Sequence, residues 1–159
     1  LGAALGFLRW NFKPAKIFMG DGGAMFLGFL MATLGLKLRP PGPPAAHSWL
    51  IPVLILGVPI FDTTLVSISR ARRGLLPFAS PGKDHAAHRF SNLGLGQRNA
   101  VLMMYGMGMV FSLLALWVNR LAPWQGYAVT IATVVALLVA IAFLERAPYE
   151  RQVEREVAD

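Results

Sequence analysis

The sequence predicts an all-α, multi-pass membrane protein: a transmembrane helical bundle of four full spans, preceded by the end of an earlier one. Three observations predict it. The 159 residues are 55% hydrophobic and only 14% charged, against roughly 25% charged in a soluble domain, and the mean hydropathy is +0.54. Four apolar segments lie near the length of about 20 residues that a helix needs to cross a bilayer. The basic residues gather on alternate loops, as an oriented membrane protein requires.

The elements follow in order. The opening LGAALGFL reads as the tail of a preceding apolar segment; a short buried turn of helix at a true N-terminus is the alternative. No signal peptide is visible, and the chain is expected to be the C-terminal part of a longer protein. A cytoplasmic loop, 9–21, leads to the first span, 22–38, which Lys37 extends by snorkelling; a re-entrant segment is the other reading of this stretch. The second span is 48–69. It follows a Pro-rich loop, Arg39-Pro-Pro-Gly-Pro-Pro, in which prolines hold the chain extended and His47 is assigned no role. A large loop, 70–98, precedes the third span, 99–119. The fourth, 121–144, begins beside Trp124 and Tyr127, whose amphipathic rings suit an interface. Residues 1–145 form the membrane part and 146–159 a short charged tail.

Loops on one side carry Arg9, Lys13, Lys16, Arg70, Arg72, Arg73, Lys83, Arg89, Arg98, Arg146, Arg151 and Arg155; the other side carries only Lys37, Arg39 and Arg120. The positive-inside rule makes the first side cytoplasmic. The net charge of +7 thereby has a cause in orientation and anionic lipid. Nucleic acid is not an expected partner, because no basic–aromatic interleaving of the single-strand-binding kind occurs. The absence of cysteine excludes disulfides and thiolate metal sites.

Three polar features stand out, all on the cytoplasmic side. Asp21 sits among Gly20, Gly22 and Gly23 at the mouth of the first span, where a carboxylate is costly unless used and glycines let a ligand approach the backbone. Asp62 lies about 12 Å, or two turns, inside the second span before Arg70. It is either part of a reaction centre or paired with a neighbouring helix or with Thr63 or Thr64. His85 and His88 are three apart and share a helix face. They are suited to binding a metal, binding phosphate or shuttling a proton, or are two surface histidines. Asp21 is suited to Mg²⁺, which takes carboxylates together with substrate phosphate oxygens. Arg72, Arg73, Lys83 and Arg89 offer positive charge to a phosphorylated substrate.

At these residues the chain resembles a known family. NFKPAKIFMGDGGAMFLGF resembles the N-x-x-P-A-x-I-F-M-G-D-x-G-S/A block of the polyprenyl-phosphate N-acetylhexosamine-1-phosphate transferases. PIFDTTLVSISRARRGLLPFASPGKDHAAHRF is similar to that family's later D-T/M-x-x-V to H-x-H-H block. The resemblance runs over nearly all of residues 1–144. It implies transfer of a sugar 1-phosphate from a UDP-sugar to a polyprenyl phosphate, usually undecaprenyl phosphate, with release of UMP and a need for Mg²⁺ (or Mn²⁺). The product would start a cell-envelope glycan such as O-antigen, teichoic acid or peptidoglycan at the bacterial inner membrane. PIFDTT and the Arg run look more like the N-acetylglucosamine-1-phosphate branch than the phospho-MurNAc-pentapeptide branch.

The resemblance also implies roles. Asp21 would ligate Mg²⁺, Asn11 and Phe18 would hold uracil, and His85 and His88 would lie by the pyrophosphate. Asp62 and Arg89 match substrate-region positions of the later block. Ala87 stands where a middle histidine is common, and Ala24 where Ser is frequent. The family's paired-aspartate and N-x-x-D-G-x-D-G-like motifs lie upstream of the stretch matched here, so the 159 residues alone are expected to have no turnover. A homodimer is an open arrangement. The alternatives are a degenerate, non-catalytic relative or polyprenyl-phosphate-binding module, and a transporter coupled through Asp62.

Overall fold

The structure is a computed structural model, and it describes residues 2–12, 14–37, 47–76 and 84–146. Lys13, Arg39, the Pro-rich loop, Lys83 and the tail after Arg146 lie outside the described residues. The chain divides into two compact units, Leu1–Arg39 and Pro40–Asp159. All the regular elements among the described residues are helices.

In the first unit, α1 (Gly2–Asn11) and α2 (Gly20–Lys37) are joined by a segment holding Pro14. Asn11 Nδ2 donates to the Ile17 carbonyl at 2.9 Å, and Lys16 N–H to the Trp10 carbonyl at 2.8 Å. These two bonds fold the connection back on the end of α1. The Lys16 ammonium lies 5.5 Å from the Trp10 ring centroid, within cation–π range. Gly20 has φ +67°, a backbone state that costs any other residue type, and α2 starts there. α2 is apolar on every side, and Met25, Phe26 and Phe29 are all more than 60% exposed. Such a helix is stable when an apolar medium surrounds it. Its 18 residues reach about 27 Å, and Asp21 and Lys37 sit at the ends that the helix dipole favours for each charge.

The second unit contains α3 (Leu50–Ile55), α4 (Gly57–Arg72), α5 (Ala86–Phe90), α6 (Gly96–Val118) and α7 (Pro123–Leu144). The predicted span 48–69 is therefore two helices, broken at Leu56. Pro59 has no N–H to give the Ile55 carbonyl, so the ladder fails one turn before it. Just past the break, a Cβ on Gly57 would lie 2.7 Å from Phe111 Cδ2, so glycine lets α6 come this close. A wide turn over Ser91–Leu95, with Gly94 at φ +96° and Gly96 at φ +70°, separates α5 from α6. α7 opens with Pro123 at its first position, and Gln125 Oε1 accepts the Ala122 N–H at 3.1 Å.

Two of the four predicted spans stand as helices long and apolar enough to cross a bilayer. They are α6, within the helical run Ala86–Val118, whose most apolar 18-residue stretch has a mean hydropathy of 2.0, and Pro123–Leu144, whose most apolar 18-residue stretch has 2.6. Their outer faces carry Met109, Leu113, Leu116, Ile131, Val139 and Phe143, each more than half exposed. A soluble protein rarely exposes so much apolar surface. The inner faces meet at helical spacing: Phe61, Leu65 and Ile68 of α4 pack with Ala100, Met104 and Met107 of α6 and with Leu137, Ile141 and Leu144 of α7. Ala86 and Phe90 of α5 join this core and thereby dock the histidine segment on the bundle. A smaller core of Leu54, Ala115 and Val118 holds α3 to α6.

His47, which sequence reasoning left without a role, is buried at 2% exposure. Its Nε2 lies 3.0 Å from the Val118 carbonyl at the end of α6. Gly126 makes room for the ring, since a Cβ there would come within 2.8 Å of His47 Cδ2.

Candidate functional site

In the second unit, α4 and α5 bring Asp62 and His85 together. Asp62 Oδ2 lies 2.7 Å from His85 Nδ1, and Asp62 Oδ1 accepts the Ala86 N–H at 2.7 Å. His85 precedes α5 but makes no capping bond with its own side chain. Asp62 supplies that acceptor from 24 residues away, doing what a local Ser or Asp ordinarily does. Thr63 and Thr64 turn back to the Pro59 and Ile60 carbonyls, so of the pairings expected for Asp62 the neighbouring segment holds and the threonines do not. The His85 side chain is 52% exposed and the Asp62 side chain 24%. His88 is also exposed. The two histidines are the residue before α5 and its third residue, so both are presented at one end of a short helix.

Beneath this pair is a buried polar knot. Asp84 accepts from Arg70 Nε at 3.0 Å and from Arg73 Nη2 at 3.2 Å. Burial raises the Asp84 carboxyl, but the hydrogen bonds and charges of Arg70 and Arg73 outweigh it and hold the group below 3.8. Arg89 is fully enclosed, at 0% exposure. It donates to the Asp84 carbonyl at 3.1 Å, to the Leu144 carbonyl at 2.8 Å and to Ser69 Oγ. Its Nη1 also lies 2.9 Å from Glu145 Oε1, an ion pair at the end of α7. Arg89 thus ties the ends of α4 and α7 to the histidine segment.

This alters the expected set of phosphate-facing cations. Arg89 is directed inward onto protein acceptors, and Arg73 bonds Asp84 and the Ser69 hydroxyl and carbonyl. Arg72 remains 70% exposed, with Glu145 at 3.7 Å, a pairing of little strength in water. Ser69, Asp84 and Glu145 were not singled out from the sequence as site residues. Their signal was present in part: a carboxylate directly before His85 and a short Ser-x-x-x-Arg spacing at the end of a span.

The first unit holds the other candidates. Phe18 is 82% exposed, a ring open to a flat partner. Asn11 spends its amide N–H on the Ile17 carbonyl and so shapes the backbone next to Phe18, with its Oδ1 still an acceptor. Asp21 is exposed in the first turn of α2. No group of three or more acidic or histidine side chains suited to a metal ion forms among the described residues. Asp21 thus offers one carboxylate, which by itself does not make a cation site.

A helical bundle with exposed apolar helices, and an acid-held imidazole on a short helix docked against it, defines a membrane protein with a polar site beside its spans. Residues 1–39 match the model of glycosyl transferase family 4. Over 124 residues the chain is 43% identical to a Bacillus subtilis protein named "Probable undecaprenyl-phosphate N-acetylglucosaminyl 1-phosphate transferase", covering 78% of this chain and 34% of that one. It is 35% identical to the decaprenyl-phosphate N-acetylglucosaminephosphotransferase of Mycolicibacterium smegmatis, over 92% of this chain and 39% of the relative. It is 30% identical to a phospho-N-acetylmuramoyl-pentapeptide-transferase of Staphylococcus haemolyticus, over 74% and 34%. No solved structure matches. In its first 39 residues the chain thus resembles glycosyl transferase family 4. It spans roughly a third of the length of these relatives (34–39%).

Proposed function

We propose that this chain forms part of a phosphoglycosyl transferase that moves N-acetylglucosamine 1-phosphate from a UDP-sugar to undecaprenyl phosphate. The observation that carries the reading is the half-exposed imidazole of His85, held by Asp62 at the rim of an apolar bundle. A donor group so placed suits a phosphate that arrives on a lipid. The names of the two N-acetylglucosamine relatives, at 43% and 35% identity, support the sugar and the polyprenyl acceptor.

In this reading a phosphate oxygen of the lipid attacks the β-phosphorus of the UDP-sugar. The bond from that phosphorus to the bridging oxygen breaks, and UMP leaves with the electron pair. A lipid phosphate is already largely ionised near neutral pH, so little proton removal is required. His85 and His88 donate hydrogen bonds to oxygens on which charge grows. Phe18 stacks on uracil, and Asn11 Oδ1 accepts its N–H. Asp21 is the carboxylate contributed toward Mg²⁺, an ion that commonly takes only one or two carboxylates beside phosphates and water. When bound, that ion would supply positive charge to the diphosphate. The reaction would face the cytoplasm at the bacterial inner membrane and begin a cell-envelope glycan.

The test uses the purified full-length gene product. With UDP-N-acetylglucosamine, undecaprenyl phosphate and Mg²⁺ it should release UMP, and Asp21→Ala should abolish release without unfolding the protein, because Asp21 is exposed. Retained turnover in D21A removes Asp21 from the site. Tight lipid-phosphate binding with no UMP from the wild type would favour a non-catalytic binding module.

A further inference from the structure

We infer that Asp62 is a positioning residue: it fixes His85 with the proton on Nδ1 and turns Nε2 outward toward the phosphate substrates. The inference rests on the transferase reading for its substrate and on geometry for everything else. Both Asp62 oxygens are engaged, Oδ1 by the Ala86 N–H at 2.7 Å and Oδ2 by His85 Nδ1 at 2.7 Å. An ionised carboxylate only accepts hydrogen bonds, so Nδ1 must carry the proton. Nε2 lies across the ring from that bond, and the side chain is 52% exposed. The outward nitrogen then donates to a phosphate oxygen only as part of an imidazolium, whose charge Asp62 compensates. Asp62 itself is turned to the histidine segment on both oxygens, which leaves the direct contact with substrate to His85.

One further detail makes Asp62 suited to this. By taking the Ala86 N–H it fixes the backbone immediately after His85, so the same carboxylate sets both where the ring is and which nitrogen faces out. Asn at position 62 separates the two tasks. Its carbonyl oxygen can still accept the Ala86 N–H, but its NH₂ then faces Nδ1 and demands a lone pair there. The proton moves to Nε2 and the imidazolium is no longer accommodated.

The experiment measures kcat and KM of the full-length enzyme for D62N, D62E, H85A and D62N/H85A, with thermal unfolding of each as a folding control. D62N should lose on the order of 10²-fold in kcat with little change in KM for the UDP-sugar and little change in unfolding temperature. D62E, which keeps the carboxylate, should recover most of that loss. The double variant should be no slower than H85A alone, because Asp62 acts through His85. Losses that multiply in the double variant, or D62E as slow as a folded D62N, overturn the inference. Nitrogen-15 spectra of the His85 ring in the wild-type enzyme give a readout independent of turnover. A protonated Nδ1 is expected, and a bare Nδ1 overturns the inference. If no transferase activity exists at all, the spectrum still decides the geometry while the functional reading fails separately.

Discussion

Replacing Arg89 with Met tests how the histidine segment is held. The change keeps the apolar stem and removes the guanidinium. Among the described residues three directed bonds are lost: to the Asp84 carbonyl (3.1 Å), to the Leu144 carbonyl (2.8 Å) and to Ser69 Oγ. The ion pair with Glu145 at 2.9 Å goes with them. At about 1.5–3 kcal/mol per bond from a charged donor, the gross loss is about 4.5–9 kcal/mol. Removing the buried charge also removes its desolvation cost, so the net is nearer the 3–5 kcal/mol typical of a broken buried pair. R89M in detergent micelles, followed by tryptophan fluorescence in a denaturant titration, should therefore be destabilised by about 3–5 kcal/mol. R89M/E145Q should be less destabilised than R89M, by at least about 1 kcal/mol, because the orphaned carboxylate goes too. Arg89→Lys should rescue little, since a point charge cannot serve three acceptors in the fork geometry. An R89M protein within about 0.5 kcal/mol of wild type would refute the reasoning. It would mean that the guanidinium is in water, as a substrate-binding arginine would be.

Gly57→Ala would place a Cβ 2.7 Å from the Phe111 ring and should cost about 1–3 kcal/mol; Phe111→Leu in the same chain should relieve most of it, as read by thermal unfolding. Arg70 and Arg73 hold the Asp84 carboxyl below its ordinary value in the folded protein, against the opposing effect of burial. A lowered carboxyl contributes stability above its unfolded value and loses it as pH falls through the folded one. Stability should thus hold down to about pH 4 and decline below it, and D84N should abolish that part of the acid transition while lowering stability at neutral pH.

The spans α6 and α7 were legible because their apolar runs are long and uninterrupted. The break at Leu56 was less so: Pro59 and Gly57 stand in plain view, but the composition of 48–69 reads as one span, and only Phe111, from a distant helix, explains why Gly57 is there. The candidate acids and histidines were all visible as residue types out of place in an apolar chain. Their pairing was not, because Asp62 and His85 are 23 residues apart and joined by a loop whose path no periodicity encodes. Arg89 shows the opposite difficulty. A basic residue beside two histidines reads as an anion contact, and nothing in one dimension says that its side chain turns inward onto the carbonyl of Leu144, 55 residues on.

The bond from Asp62 to the Ala86 N–H bears on the order in which this protein folds. α5 is five residues long, far too short to nucleate by itself, and its first donor is satisfied only by a carboxylate on α4. Its docking residues, Ala86 and Phe90, find their partners only once α4, α6 and α7 have come together. The two histidines therefore acquire their final geometry after the spans have assembled. The edge that carries them is thus the part of this unit that takes shape last.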